Sequence, residues 1–280
     1  MRHGILFSAA ALAAMAALSL SCNKVNEESV TLRPVSFEVG LDVPATKVSM
    51  TQETDGSATW LKAAWEVGDK VTVMWANNDL SKYEEFEVTA VSADGKNATF
   101  TNASSAMPED CIIGVYYPSR PFNTFYDFVL KSILPDDAWD LAHAGENLVY
   151  GASGIAVSGG VVPTISLEQK SSFLYIKKGT AITGLEKGLF KITRSGLHYQ
   201  FWGKYDSSNM TSYTYPASCF VNSSTAGEIP YDIYIPFIAD GTNQSPSITI
   251  TQGDVNLVLK DFGEKALQPG KIYDISGSLY

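Results

Sequence analysis

Hydrophobic and polar positions alternate with a period of two along most of this chain. Val35, Phe37 and Val39 alternate with Ser36 and Glu38, the run Lys70-Val71-Thr72-Val73-Met74-Trp75 continues the series, and Tyr83, Glu85, Glu87 and Thr89 stand opposite Phe86, Val88 and Ala90. A period of two sends successive side chains to opposite faces of a pleated strand, so these segments are predicted to be half-buried strands. Turn chemistry separates them. Asp94-Gly95-Lys96-Asn97 precedes Ala98-Thr99-Phe100, and Pro108-Glu109-Asp110 precedes the strand Cys111 to Tyr117, which Pro118 closes. Strand and turn recurring at intervals of about 8–14 residues predict an all-β sandwich or barrel.

From Pro118 to Gly160 the pattern is less regular and reads mostly as long loops and short strands, with Asp136 to His143 able to support a helical turn. It resets at Pro163. Thr164 to Ile176, Leu189 to Ile192, Tyr231 to Phe237, Ser247 to Thr251, Val255 to Leu259 and Lys271 to Leu279 are the later strand candidates. Gly151 to Gly160 is rich in glycine and marks a domain boundary in this reading, which gives two tandem β-sandwich domains, 30–163 and 164–280.

The N-terminus departs from this pattern. Arg2 and His3 precede an apolar run from Ile5 to Leu20 that ends at Ser21-Cys22. A membrane-spanning helix needs about 20 apolar residues, so this shorter run, with its cationic start and small residues before the cysteine, predicts a secretory signal peptide over 1–21. Leu18-Ser19-Leu20-Ser21-Cys22 resembles a bacterial lipobox, with Ser19 where leucine is usual, which makes Cys22 the lipidated residue. The alternative is ordinary cleavage near Ser21 with Cys22 incidental. Residues 22–29 are polar and acidic and read as a flexible tether, similar to the signals that send some lipoproteins of Bacteroidota to the outer face of the outer membrane.

Charge narrows the partners. The net charge of −10 becomes −11 once Arg2 leaves with the signal, and the cations are scattered, which argues against nucleic acid and against electrostatic adhesion to anionic lipid. Cys111 and Cys219 both sit in apolar runs and read as free, buried cysteines, with a disulfide as the alternative. No His-Glu-x-x-His, Cys-x-x-Cys or Gly-x-Ser-x-Gly is present. His143 lies near Asp140 and Glu146, a metal site in one reading and a solvated loop histidine in the other. Neighbouring acids such as Glu84-Glu85 and Asp136-Asp137 do not form the facing pair that glycoside hydrolysis requires. The expectation is a protein with no catalytic residues, no metal and no cofactor. Trp65 and Trp75 fall beside strand positions whose alternation points inward and read as core, whereas Leu197 to Tyr215, with Trp202, Tyr205 and Tyr213 among serines and asparagines, reads as an exposed loop or hairpin and a candidate partner surface.

Several segments together resemble the fimbrillin family, the lipoprotein-derived pilins and related major fimbrial subunit-like proteins of Bacteroidota. Trp65-Glu66-Val67-Gly68-Asp69-Lys70-Val71 is similar to the family's Trp-x-x-Gly-Asp-x-Val motif, Ala98-Thr99-Phe100 to its Ala-Thr-Phe strand, and Val115-Tyr116-Tyr117-Pro118 to its aromatic-Tyr-Pro strand end. Leu167 to Leu174 resembles the strand near the domain boundary, with Gln169 or Lys170 near the usual histidine and serine in place of alanine, and Pro269-Gly270-Lys271-Ile272-Tyr273 resembles the terminal Pro-Gly-Lys-x-Tyr. The resemblance implies transthyretin-like, Greek-key sandwich domains and a pilus (fimbrium) subunit, stalk or anchor, exported as a lipoprotein for surface adhesion. It implies removal of the first strand by a trypsin-like protease and refilling of its groove by a strand of another subunit. In this chain the cut would follow Lys47, leaving Val48 as the new N-terminus, and Lys271 to Tyr280 would be the donor. The expected partners are other fimbrial subunits, the outer membrane through the lipid, and host or bacterial surface ligands. The competing class is a glycan-binding surface lipoprotein of a polysaccharide uptake system.

Overall fold

The computed structural model describes residues 32–41, 51–55, 58–62, 64–77, 80–120, 126–129, 139–210 and 216–279, which form an almost wholly β structure. In chain order the strands are β1 (Arg33–Leu41), β2 (Thr51–Asp55), β3 (Ala58–Lys62), β4 (Lys70–Asn77), β5 (Leu80–Val91), β6 (Asn97–Ser105), β7 (Cys111–Tyr117) and β8 (Tyr126–Val129). The short helix α1 (Leu141–Glu146) follows, then β9 (Tyr150–Val157), β10 (Ile165–Gln169), β11 (Ser171–Ile176), β12 (Gly188–Ser195), β13 (Gln200–Gly203), β14 (Ser208–Met210) and β15 (Ala217–Ser223). The chain ends through β16 (Ile233–Ile238), β17 (Asn243–Gln244), β18 (Ser247–Gln252), β19 (Val255–Asp261), β20 (Lys265–Ala266) and β21 (Ile272–Asp274).

The first sheet closes into a barrel in the order β1-β10-β9-β7-β4-β5-β6. Closure departs from the predicted sandwich, and its cause is one pairing: β1 runs parallel to β10, with Val39 to Leu41 opposite Ile165 to Leu167. A parallel pair between segments so distant in sequence leaves no trace in either strand's own periodicity. The inward tryptophans are where alternation puts them. Trp65 and Trp75 are each 2% exposed, and the Trp65 ring stands edge-on to Phe100 at 5.0 Å and to Tyr117 at 5.3 Å. The predicted Gly68-Asp69 turn forms ahead of β4, with Gly68 at φ +93° and Asp69 accepting from the Glu66 amide.

Two readings of the middle of the chain are corrected. The glycine-rich stretch taken as a boundary contributes instead to β9, a strand inside the barrel between β10 and β7. Its glycines serve local geometry: Gly154 has φ +72° in the stretch where the β7–β9 register shifts, and Gly151 lies under the Tyr116 ring. The predicted single strand Thr164 to Ile176 is divided at Lys170, so that β10 joins the barrel and β11 begins a second sheet.

That second sheet, β16-β11-β21, faces a four-stranded sheet, β15-β12-β18-β19. Leu174, Ile176 and Ile235 meet Ile192, Cys219 and Ile250 in their shared core, so the later half is a sandwich. The opposite side chains of the same strands, Phe173, Tyr175 and Tyr234, belong to the barrel core. Every residue of β11 and of β16 is buried. One sheet therefore serves two cores, which explains the nearly continuous apolar runs Phe173-Leu174-Tyr175-Ile176 and Ile233-Tyr234-Ile235.

His143 is neither a solvated loop residue nor a metal ligand among the described residues. It lies buried in α1, where Asp140 caps the helix by accepting from the His143 amide at 3.0 Å and Asn147 sits 3.0 Å from its Nε2.

Candidate functional site

The strand β1 is held asymmetrically. Along one edge it forms an antiparallel ladder with β6 from Arg33 to Gly40, while along the other its ladder to β10 spans only Val39 to Leu41. Its burial alternates as the sequence predicts, with Val35, Phe37 and Val39 inside and Pro34, Ser36 and Glu38 exposed. Phe37 is the central anchor, 5.2 Å from the Phe86 ring and stacked at 6.1 Å on Phe100. Burying three such side chains favours the seated strand by about 5–9 kcal/mol before chain entropy is counted. Register is fixed at the entry: β1 shifts against β6 between Arg33 and Val35, where Pro34 has no N–H to offer the ladder. The Arg33 guanidinium donates to the carbonyls of Gly160 at 3.3 Å and of Met107 and Pro108 at 3.4 Å, tying the strand to two loops. Arg33 thus helps to hold β1 in its slot. Only contacts between distant segments reveal it.

The C-terminal run is shorter as a strand than expected. Only Ile272 to Asp274 pair, parallel to β11, and a 3₁₀ turn over Ser276–Ser278 follows. The reason is anchoring: Ile275 and Leu279 turn into the sandwich core at 6% and 2% exposure, which bends the run out of an extended path. The Pro269-Gly270 turn ahead of it forms as predicted, with Gly270 at φ +67°.

A second surface lies on the outside of the barrel, where β14-β13-β8 form a small separate sheet. The inner face of its central strand, β13, is buried. Phe201 packs with Met74, Tyr116, Val149 and Ile238, and Tyr199 and Tyr205 pack at the margin. Tyr116 is the fastener. Its ring fills a socket made by glycines, since a Cβ on Gly203 would overlap the ring and one on Gly151 would come within 2.7 Å of Cδ1. Its hydroxyl donates to the carbonyls of Lys204 and Ser207, and burial pushes its pKa up. Trp202 occupies the outer face of the central strand with 38% of its surface exposed, and Tyr205 is half-buried. The predicted partner hairpin therefore has a fixed, buried back that its polar composition did not reveal. Cys22, Lys47, Val48 and Tyr213 lie outside the described residues.

Among the described residues no three His, Cys, Asp or Glu side chains gather as metal ligands. Cys111 and Cys219 are free thiols, and burial pushes their pKa values up to about 11 and about 12, away from the reactive thiolate. Burial lowers the pKa of His198, which leaves that imidazole neutral.

No protein-family model matches the chain, and no curated protein sequence matches it. Among solved structures it is similar to a candidate cell adhesion protein from Bacteroides ovatus ATCC 8483, at 12% identity and a TM-score of 0.45, over 87% of this chain and 91% of that one. A candidate adhesin from Bacteroides ovatus aligns at 8% identity and a TM-score of 0.43, over 88% of this chain and 79% of that one. The shaft pilin of Lactobacillus rhamnosus GG aligns at 13% identity and a TM-score of 0.24, over 87% and 97%. Likeness at this level transfers no function, so the chain's own geometry has to supply one.

Proposed function

We propose that this chain is a subunit of a surface fimbrium that assembles by exchange of its first strand and serves adhesion, without catalytic activity. One observation carries the reading: the first described strand occupies a slot in a closed barrel, with a full ladder on one edge, three register pairs on the other, and an alternating apolar face turned inward. Removing such a strand uncovers the β6 edge, part of the β10 edge and an apolar floor at once. Unpaired backbone and exposed core together favour refilling by any extended segment with apolar side chains at alternate positions.

The C-terminal run Lys271 to Tyr280 is the donor in this proposal. Tyr273 and Ile275 fall at alternate positions, as Val35, Phe37 and Val39 do, and Leu279 follows on the same face of an extended strand after Gly277. To donate, the run must leave β11 and withdraw Ile275 and Leu279 from the sandwich core, so donation competes with the chain's own packing. Export as a lipoprotein through Cys22 and cleavage after Lys47 complete the scheme.

N-terminal sequencing of material sheared from cells that express the chain tests it. A chain beginning at Val48, together with ladders that resist SDS without heating, is the expected result for a polymerising subunit. Acylated Cys22 alone, with monomers on the gel, rejects strand exchange and leaves a lipid-anchored surface protein.

A further inference from the structure

We infer that β15 is a docking edge for a second copy of this chain, the two β15 strands pairing antiparallel about Phe220 so that two sandwich sheets become one. The edge is a different one from the β1 slot, and the pairing stands whether or not the first strand is exchanged.

The sheet β15-β12-β18-β19 ends in two strands that are built differently. β19 carries devices that keep sheet edges apart. Its ladder to β18 shifts between Ile250 and Thr251, and Lys260 stands opposite Ile248, which puts a charge on the core-facing side. β15 carries neither. Its seven residues pair with β12 in unbroken register, from Gly188 opposite Ser223 to Arg194 opposite Ala217, and no charged residue occurs from Ser207 to Gly227. On a chain of net charge −10, that stretch lets two copies approach without opposing like charges, and Lys191, opposite Phe220 on β12, stands one strand in from the seam. Among the described residues no strand pairs with the outer edge of β15.

The faces of β15 set the register. Ala217, Cys219 and Val221 are buried in the sandwich core, whereas Asn222 is exposed and Phe220 keeps 42% of its surface open. Opposite residues of an antiparallel pair share a face, so core-facing positions must meet core-facing positions. Of the registers that satisfy this, the one centred on Phe220 pairs all seven residues. It sets Ser218 of each copy against Asn222 of the other, Cys219 against Val221, and the two Phe220 rings against each other. Leu189, exposed and opposite Asn222, borders the seam. Because both copies use the same edge, the assembly closes at two subunits. A pair of seven-residue strands buries less than a standard interface, so micromolar affinity is expected.

Sedimentation velocity of the purified, uncleaved full chain from about 1 to about 200 µM tests the pairing. A monomer–dimer equilibrium with no higher species is expected. Phe220→Lys, which sets two ammonium groups opposite each other, should weaken the dimer at least about tenfold, while Leu259→Lys on the exposed β19 edge should leave it unchanged. Unchanged near-UV circular dichroism shows that Phe220→Lys keeps the fold. In a Cys22→Ser background, mild oxidation of Phe220→Cys should give a reducible covalent dimer, because opposite residues stand at Cα distances of about 4.5–5.5 Å, within disulfide reach. Leu259→Cys should give none. A monomer at every concentration, a dimer that Phe220→Lys leaves intact, or cross-linking through Leu259→Cys in preference to Phe220→Cys each overturns the inference. This dimer should come apart in unheated SDS, where strand-exchanged ladders persist, so the two readings fail separately.

Discussion

The strands β1 and β11 both lie between two neighbours in a sheet, yet they are held in opposite ways. Each has one long antiparallel ladder and one parallel ladder of three register pairs. What differs is the faces. β1 buries one face and shows the other to solvent, whereas β11 buries both, placing Phe173 and Tyr175 in the barrel core and Leu174 and Ile176 in the sandwich core. Hydrogen bonds can be remade by any strand of the right polarity. Packing on two faces cannot be remade by a strand that matches only one, so β11 is tied into the fold by more packing than β1.

The strongest way to break this contrast is to truncate the shared strand. Phe173→Ala should cost about 3–5 kcal/mol and Leu174→Ala about 2–5 kcal/mol, and each should lower the stability of both cores together in one urea transition. Two separate transitions, with only one shifted, would show that the cores are not coupled through β11. Phe37→Ala should cost about 3 kcal/mol, and hydrogen exchange should quicken in β1 and along β6 while β11 stays protected. Equal quickening in β11 would contradict the asymmetry.

Smaller effects sharpen it. Gly203→Ala drives a methyl into the Tyr116 ring and should cost about 1–3 kcal/mol, loosening the small outer sheet, as read by Trp202 fluorescence, while amides of β4 and β7 remain protected. Asp140→Ala removes the cap of α1 and should cost about 1 kcal/mol in a thermal melt. The least effect comes from His198. Burial lowers its pKa, so the unfolded chain takes up the proton first, and stability should decline as pH falls below about 6.5. His198→Gln should flatten that part of the pH profile.

Legibility in the sequence followed the range of the interaction. β1, β5 and β6 were readable because a strand with one wet face writes its burial into its own alternation, whereas β4, buried on both faces over Val71 to Trp75, was readable from its apolar and β-branched residues. Local turn chemistry was equally plain at Gly68-Asp69 and Pro269-Gly270. The environment of His143 was also local, since its cap Asp140 and its partner Asn147 lie within one helical turn, and an acid placed ahead of a short helical stretch was the available signal. β9 was hidden because its glycines look like a linker until Tyr116 is seen against them. The buried back of the Trp202 sheet was hidden for the same reason: Gly151, Gly203 and Tyr116 are far apart along the chain and meet only in space.

By itself, then, the sequence determined the all-β class, the inward and outward faces of strands with one wet face, and the turns. Those properties are written residue by residue or over one or two turns. Only the tertiary structure decided that the first sheet closes through the parallel pairing of β1 with β10, that β11 and β16 serve two cores, and that Gly151 and Gly203, far apart along the chain, meet at the Tyr116 ring. Each of these is a contact between segments separated by long stretches of chain. The period of a strand states which faces are buried but never names the strand lying against them.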